Sequence, residues 1–118
     1  MNVLNIKVPL LNSRCRIFWP YKKAEAEVWL AKHKITDIEL VPDGASLGSC
    51  VYSDKRGALV FLKRWNGSDF DRHVLVHELT HAASFIRHAV GIEENNEKNE
   101  LLCHIVDYLT KKALAGLK

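Results

Sequence analysis

The chain has 118 residues, 47% of them hydrophobic and 26% charged, with a formal net charge of +3. These values fit one soluble globular domain spanning residues 1–118. The sequence offers no candidate membrane-spanning helix, since no apolar run approaches the ~20 residues that one requires. The three cysteines, Cys15, Cys50 and Cys103, are an odd set without CxxC spacing, which argues against a secreted disulfide framework and against a cysteine zinc knuckle. The N-terminal stretch "MNVLNIKVPLLNSRCRIFW" lacks the charged and unbroken apolar regions of a signal peptide. The expectation is a cytoplasmic chain with no membrane partner. Its basic residues lie in scattered pairs such as Lys22-Lys23, Lys55-Arg56, Lys63-Arg64 and Lys111-Lys112. That pattern permits a nucleic-acid partner without supporting one, and it does not indicate an oligomeric state.

Taken in chain order, "VLNIKVPLL" and "RCRIFW" alternate or run apolar and predict one or two strands. "YKKAEAEVWLAKHK", 21–34, follows Pro20 and is rich in helix formers, which predicts a helix. "ITDIELV", 35–41, alternates and is β-branched, which predicts a strand. After the "PDG" break, "SCVYS" and "ALVFLKRW" flank the turn "DKRG" and predict a hairpin. "NGSDFDRHVLVHELTHAASFIRHAVG" predicts the clearest helix, with Ser68 as cap, Asp71 three residues on as its capping-box partner and Gly91 as C′ residue. The polar connector "IEENNEKNE" leads to a final helix, "ELLCHIVDYLTKKALAGL". Strands and one helix first, two helices last, predict an α+β fold: an N-terminal antiparallel or mixed sheet with one helix, then a central helix packed on a C-terminal one.

The central helix carries His77, Glu78 and His81 as H-E-x-x-H. Positions four apart lie on one face of a helix, about 40° apart around the axis, so two imidazoles there can grip one metal ion. Glu78 projects about 100° from His77 and stands beside that face, where a carboxylate can take a proton from water without binding the metal. Leu75, Leu79, Ala82, Ile86 and Val90 form the core stripe. His73, His77, His81, Ser84 and His88 share one polar stripe, which is also the pattern of a solvated helix face. Trp29 and Phe85 are expected in the core.

A catalytic zinc site normally takes three protein ligands and leaves a position open for water. The longer pattern H-E-x-x-H-x-x-G-x-x-H fails, because Ser84 and Arg87 stand where glycine and histidine are required. The last helix is apolar around most of its circumference, apart from one strip carrying Glu97, Glu100, His104, Asp107 and Lys111. Facing the histidines across a helix pair, that strip would supply the third ligand. Periodicity leaves Glu97, Glu100 and His104 as alternatives.

"HELTH" followed by Asn99-Glu100, with Asn99 eighteen positions beyond His81, resembles the gluzincins, zinc peptidases with two His ligands and a downstream Glu. The resemblance implies one Zn2+ per chain held by His77, His81 and Glu100, with Glu78 as general base. Where thermolysin-like members carry an Asp four residues past the ligand Glu, this chain has His104. Asp107 one turn on is then the candidate partner orienting a metal-bound His, or His104 is itself the third ligand. For the oxyanion the candidates are His104, Tyr108, His88 and Tyr52. With the preceding hairpin, residues 48–110 are similar to minimal zincin domains: SprT-like proteins, ImmA-like proteins and small phage-encoded zincins. The resemblance implies a bacterial or phage setting, a protein or peptide substrate and metal-dependent peptide hydrolysis. It implies also a substrate-binding edge strand, expected at "ALVFLK", 58–63. The alternative is a catalytically weak zincin-like regulatory or binding module, with nucleic acid as a permitted partner.

Overall fold

The first two strands form a hairpin. In the computed structural model, which describes residues 1–9, 11–91 and 99–117, β1 (Asn2–Val8) pairs antiparallel with β2 (Ser13–Trp19), from Asn2 opposite Trp19 to Val8 opposite Ser13. Helix α1 (Lys23–Lys32) follows, inside the predicted 21–34. A second hairpin, β3 (Gly48–Ser53) and β4 (Gly57–Leu62), closes at Ser53 opposite Gly57. Strand β4 then lies parallel to β2, with Cys15 beside Ala58 and Phe18 beside Phe61. The result is a four-stranded mixed sheet in the order β1-β2-β4-β3. Helices α2 (Asp69–Ala89) and α3 (Asn99–Gly116) complete a small α+β fold.

Side-chain alternation along the central strands divides the core in two. Cys15, Ile17, Val60 and Leu62 point to one face and meet Leu75, Leu79, Ala82 and Ile86 of α2 and Ile105, Leu109 and Ala113 of α3. Phe18, Leu59 and Phe61 point to the other and meet Tyr21, Ala26, Leu30 and Ile35. The core stripe read from the central helix is therefore the one the fold buries as far as Ile86, while Val90 at the helix end is half-buried.

Two expectations are corrected. Strand β4 is interior, not an edge: it pairs on both sides, and its residues from Ala58 to Leu62 are all buried. A continuous apolar run buried on both faces is the mark of such a strand. The edge beside α2 is β3. The segment 35–41 forms no strand. Ile35 is buried, Ile38, Leu40 and Val41 pack on the α1-side cluster, and the Tyr21 hydroxyl donates to the Val41 carbonyl. Its alternation buries one side of an extended segment that has no ladder partner, which period-2 patterning cannot distinguish from a strand. No helix among the described residues is long and apolar enough to cross a membrane.

Candidate metal centre

Helix α2 starts from a well-tied N-terminus. Ser68 Oγ accepts from the Asp71 amide at 3.2 Å, as the cap reading predicts. Asp71 does not complete the capping box by reaching back. Its buried carboxylate accepts from Arg64 Nε at 3.1 Å and from the Asn66 amide at 2.9 Å, while the Ser68 amide donates to Asn66 Oδ1 at 2.9 Å. These bonds pin the helix to the segment leaving β4 and so set its rotation over the sheet. At the other end Gly91 has φ +78° and its amide donates to the His88 carbonyl at 3.0 Å, the predicted left-handed stop.

With the apolar stripe buried, His77 and His81 face outward and both are exposed. Their Nε2 atoms stand 3.3 Å apart. Two nitrogens bound at 2.0–2.1 Å to one tetrahedral ion lie about 3.3–3.4 Å apart, so the separation is the one that sharing a metal ion requires. The same separation also suits one ring N–H donating to the other ring's lone pair. A carboxylate oxygen of Glu78 joins them, and the three donor atoms lie within 4.8 Å of one another.

Glu78 differs from the histidines in its surroundings. It is 5% exposed, held between α2 and the start of β3. Gly48 makes that position available: a Cβ there would lie 2.9 Å from Glu78 Cγ and 3.0 Å from Val74 Cγ1. A pocket of about 220 Å3 opens beside it, lined by Leu47, Gly48, His73, Val74, His77 and Glu78. Burial raises the Glu78 pKa above the usual carboxylate value, and the nearby His77 and His81 oppose the shift. Cys50 lies close enough for the Glu78 charge to add to the rise that burial and Cys15 impose on its thiol.

The other predicted residues are placed differently. Helix α3 packs against α2 and β1, but Glu100, His104, Asp107 and Lys111 lie in solvent. Glu100 and His104 lean on each other at 3.6 Å, with side chains 84% and 74% exposed, and the three-donor group does not include them. Glu97 and the rest of 92–98 lie outside the described residues. Tyr108 is engaged elsewhere: its hydroxyl donates to the Lys7 carbonyl at 3.1 Å and its ring faces the Lys112 ammonium at 5.8 Å, tying α3 to β1. His88 is exposed near the end of α2. Tyr52, on β3, stands 6.0 Å from the ring of Phe85. Phe85 is 39% exposed, not a core residue as expected, because it sits one turn beyond His81 on the outward face. Trp29 does pack inward, edge-on to Phe18 at 4.9 Å.

Sequence reasoning missed Gly48 and Leu47. Their role arises only when the second hairpin is laid beside α2, and the one local hint is a side chain small enough for close approach at the start of a strand. Comparisons with protein-family models, with curated proteins and with solved structures yield no match.

Proposed function

We propose that the chain is a metal-dependent hydrolase of the zinc-peptidase type, with His77 and His81 holding the ion and Glu78 acting as general base. The observation that carries this reading is the joint placement of two imidazole nitrogens at 3.3 Å and a buried carboxylate within 4.8 Å of them. A bound Zn2+ would supply Lewis acidity toward a peptide carbonyl and acidify the attacking water toward pH ~7. Glu78 takes the water proton on a carboxylate oxygen and returns it to the leaving amine. Its buried, poorly solvated position favours that exchange, since proton affinity rises as solvation falls. Strand β3 is an edge that begins at Gly48 beside Glu78, so an extended peptide added to that edge passes the base. Glu100 is the first candidate for the third ligand, on spacing, with His104 after it.

A second reading, a metal-binding module with little hydrolytic activity, is favoured by the exposed placement of Glu100 outside the three-donor group. One experiment separates the two. Metal content and peptide-library cleavage are measured for wild type, His77→Ala, Glu78→Gln, Glu100→Ala and His104→Ala. The peptidase reading expects about one zinc per chain, loss of metal in His77→Ala, and full metal but abolished cleavage in Glu78→Gln. Full zinc without cleavage in wild type selects the module. Wild type that binds no zinc sinks both.

A further inference from the structure

Away from the histidines, the turn ends of the two hairpins meet. Parallel pairing of β2 with β4 puts the entry to β2 beside the 54–56 turn, since Cys15 lies opposite Ala58. Gly57 permits the approach: its φ is +82°, and a Cβ there would sit 2.4 Å from the Arg14 carbonyl oxygen. Between them is a pocket of about 320 Å3 whose walls include Arg14, Arg16, Lys55 and Arg56, with Tyr52 and Asp54. Those four cations less one carboxylate carry +3, equal to the formal excess of the entire chain, so the remaining residues sum to zero. Among the described residues, none of the four cations lies within ion-pair distance of a carboxylate, Asp54 included.

The charge is also partly buried. Arg16 is 8% exposed, with its guanidinium 5.6 Å from the Trp29 ring and Nη1 donating to the Arg56 carbonyl at 2.7 Å. Arg56 Nε is buried with no hydrogen-bond partner among the described residues. Burial, then the charges of Arg14 and Arg56, weaken the hold of Arg16 on its proton. A convergence of unneutralised guanidinium groups, one of them with a buried donor to spare, is costly to fold around unless an anion answers it.

We propose that this pocket binds the phosphoryl group of a small molecule, with Arg14, Arg16, Lys55 and Arg56 as its charge and hydrogen-bond partners. Guanidinium forks match phosphate oxygens two at a time, which suits a compact dianion over a single carboxylate. The site is a local hollow on a molecule otherwise balanced in charge, so a nucleic-acid backbone, which needs a wider basic track, is the poorer occupant. None of its residues belongs to the metal group, and the proposal stands independently of the hydrolase reading.

The test titrates the full chain with inorganic phosphate and with phenyl phosphate, following backbone amide shifts in wild type, Arg14→Ala and Lys55→Ala. Both substituted side chains are exposed, and unchanged amide shifts elsewhere verify the fold. The expected result is saturable shifts confined to residues 12–16 and 54–57, weakened roughly tenfold or more in each variant. Equal affinity for both probes identifies free phosphate as the ligand, and tighter phenyl phosphate binding identifies a phosphorylated small molecule. No saturation up to about 50 mM, far above a millimolar dissociation constant, overturns the proposal. So does wild-type affinity in both variants, or a single-stranded oligonucleotide that binds more tightly than either probe and equally well to the variants.

Discussion

Glu78 and Gly48 are a matched pair. The carboxylate is buried because the strand opposite it has no side chain at the point of contact. Gly48→Ala drives a Cβ into Glu78 Cγ and Val74 Cγ1, and both must yield. The expected cost is about 1–3 kcal/mol of stability, measured by denaturant unfolding. On the proposed hydrolase reading, zinc content persists, because His77 and His81 stand in solvent outside the contact, while any cleavage activity falls as Glu78 is displaced. The thiols give a second residue-scale prediction. Cys15 is fully buried and its pKa is pushed up to about 12, chiefly by burial, while Cys50 is raised by the same cause and Cys103 is exposed. Thiolate is the reactive form. Native protein should therefore show one fast thiol toward a disulfide reagent, Cys103, and three after unfolding. Fast modification of Cys50 in the native state would contradict its partly buried position near Glu78.

At the scale of elements, the candidate metal group depends on how α2 is anchored. Ser68 caps the helix, and Asp71 bonds Arg64 and the Asn66 amide instead of the cap residue. Ser68→Ala should cost about 1 kcal/mol. Asp71→Ala should cost more, about 2–3 kcal/mol, because it strands a backbone donor and removes the tie to the segment after β4. Equal losses in urea unfolding would show that the Arg64 and Asn66 contacts add nothing. The helix itself was legible in the sequence, with its cap, its stop at Gly91 and its core stripe, because 3.6-residue periodicity and end chemistry are local properties. The partner of the Asp71 carboxylate was not, since Arg64 and Asn66 reach it only after β4 turns into the helix. The strip on α3 shows the same limit: periodicity grouped Glu100, His104, Asp107 and Lys111 correctly, but not the direction they face, which follows from how Ile105, Leu109 and Ala113 seat against α2 and the sheet.

For the molecule as a whole, the proposed metal binding would be linked to folding. An ion that binds the native chain stabilises it by about 2.7 kcal/mol at a hundredfold excess over its dissociation constant. For a domain of this size that is a rise of roughly 10 °C in Tm. Zinc should raise the melting temperature of wild type by that order and leave His77→Ala and His81→Ala unmoved. Chelator should reverse the shift. Acid should do the same, because nitrogen ligands must be deprotonated to bind. An identical shift in His77→Ala would place the ion elsewhere.

By itself the sequence determined the α+β class, the second hairpin and the three helices nearly in place, and the pairing of His77 with His81 on one helical face, whereas the first two strands were legible as strands without their pairing. These follow from short-range rules: side-chain period, turn residues, caps and i, i+4 spacing. Only the tertiary structure decided that β4 is interior and β3 the edge, that 35–41 runs without a ladder partner, that Glu78 is buried against Gly48, and that Glu100 and His104 lie in solvent. It also decided that Arg14, Arg16, Lys55 and Arg56, forty residues apart in two groups, surround one pocket. The physical reason is common to all of these. Local pattern states which side of an element is apolar, whereas its neighbours depend on strand order and on the side chains that meet when the layers close.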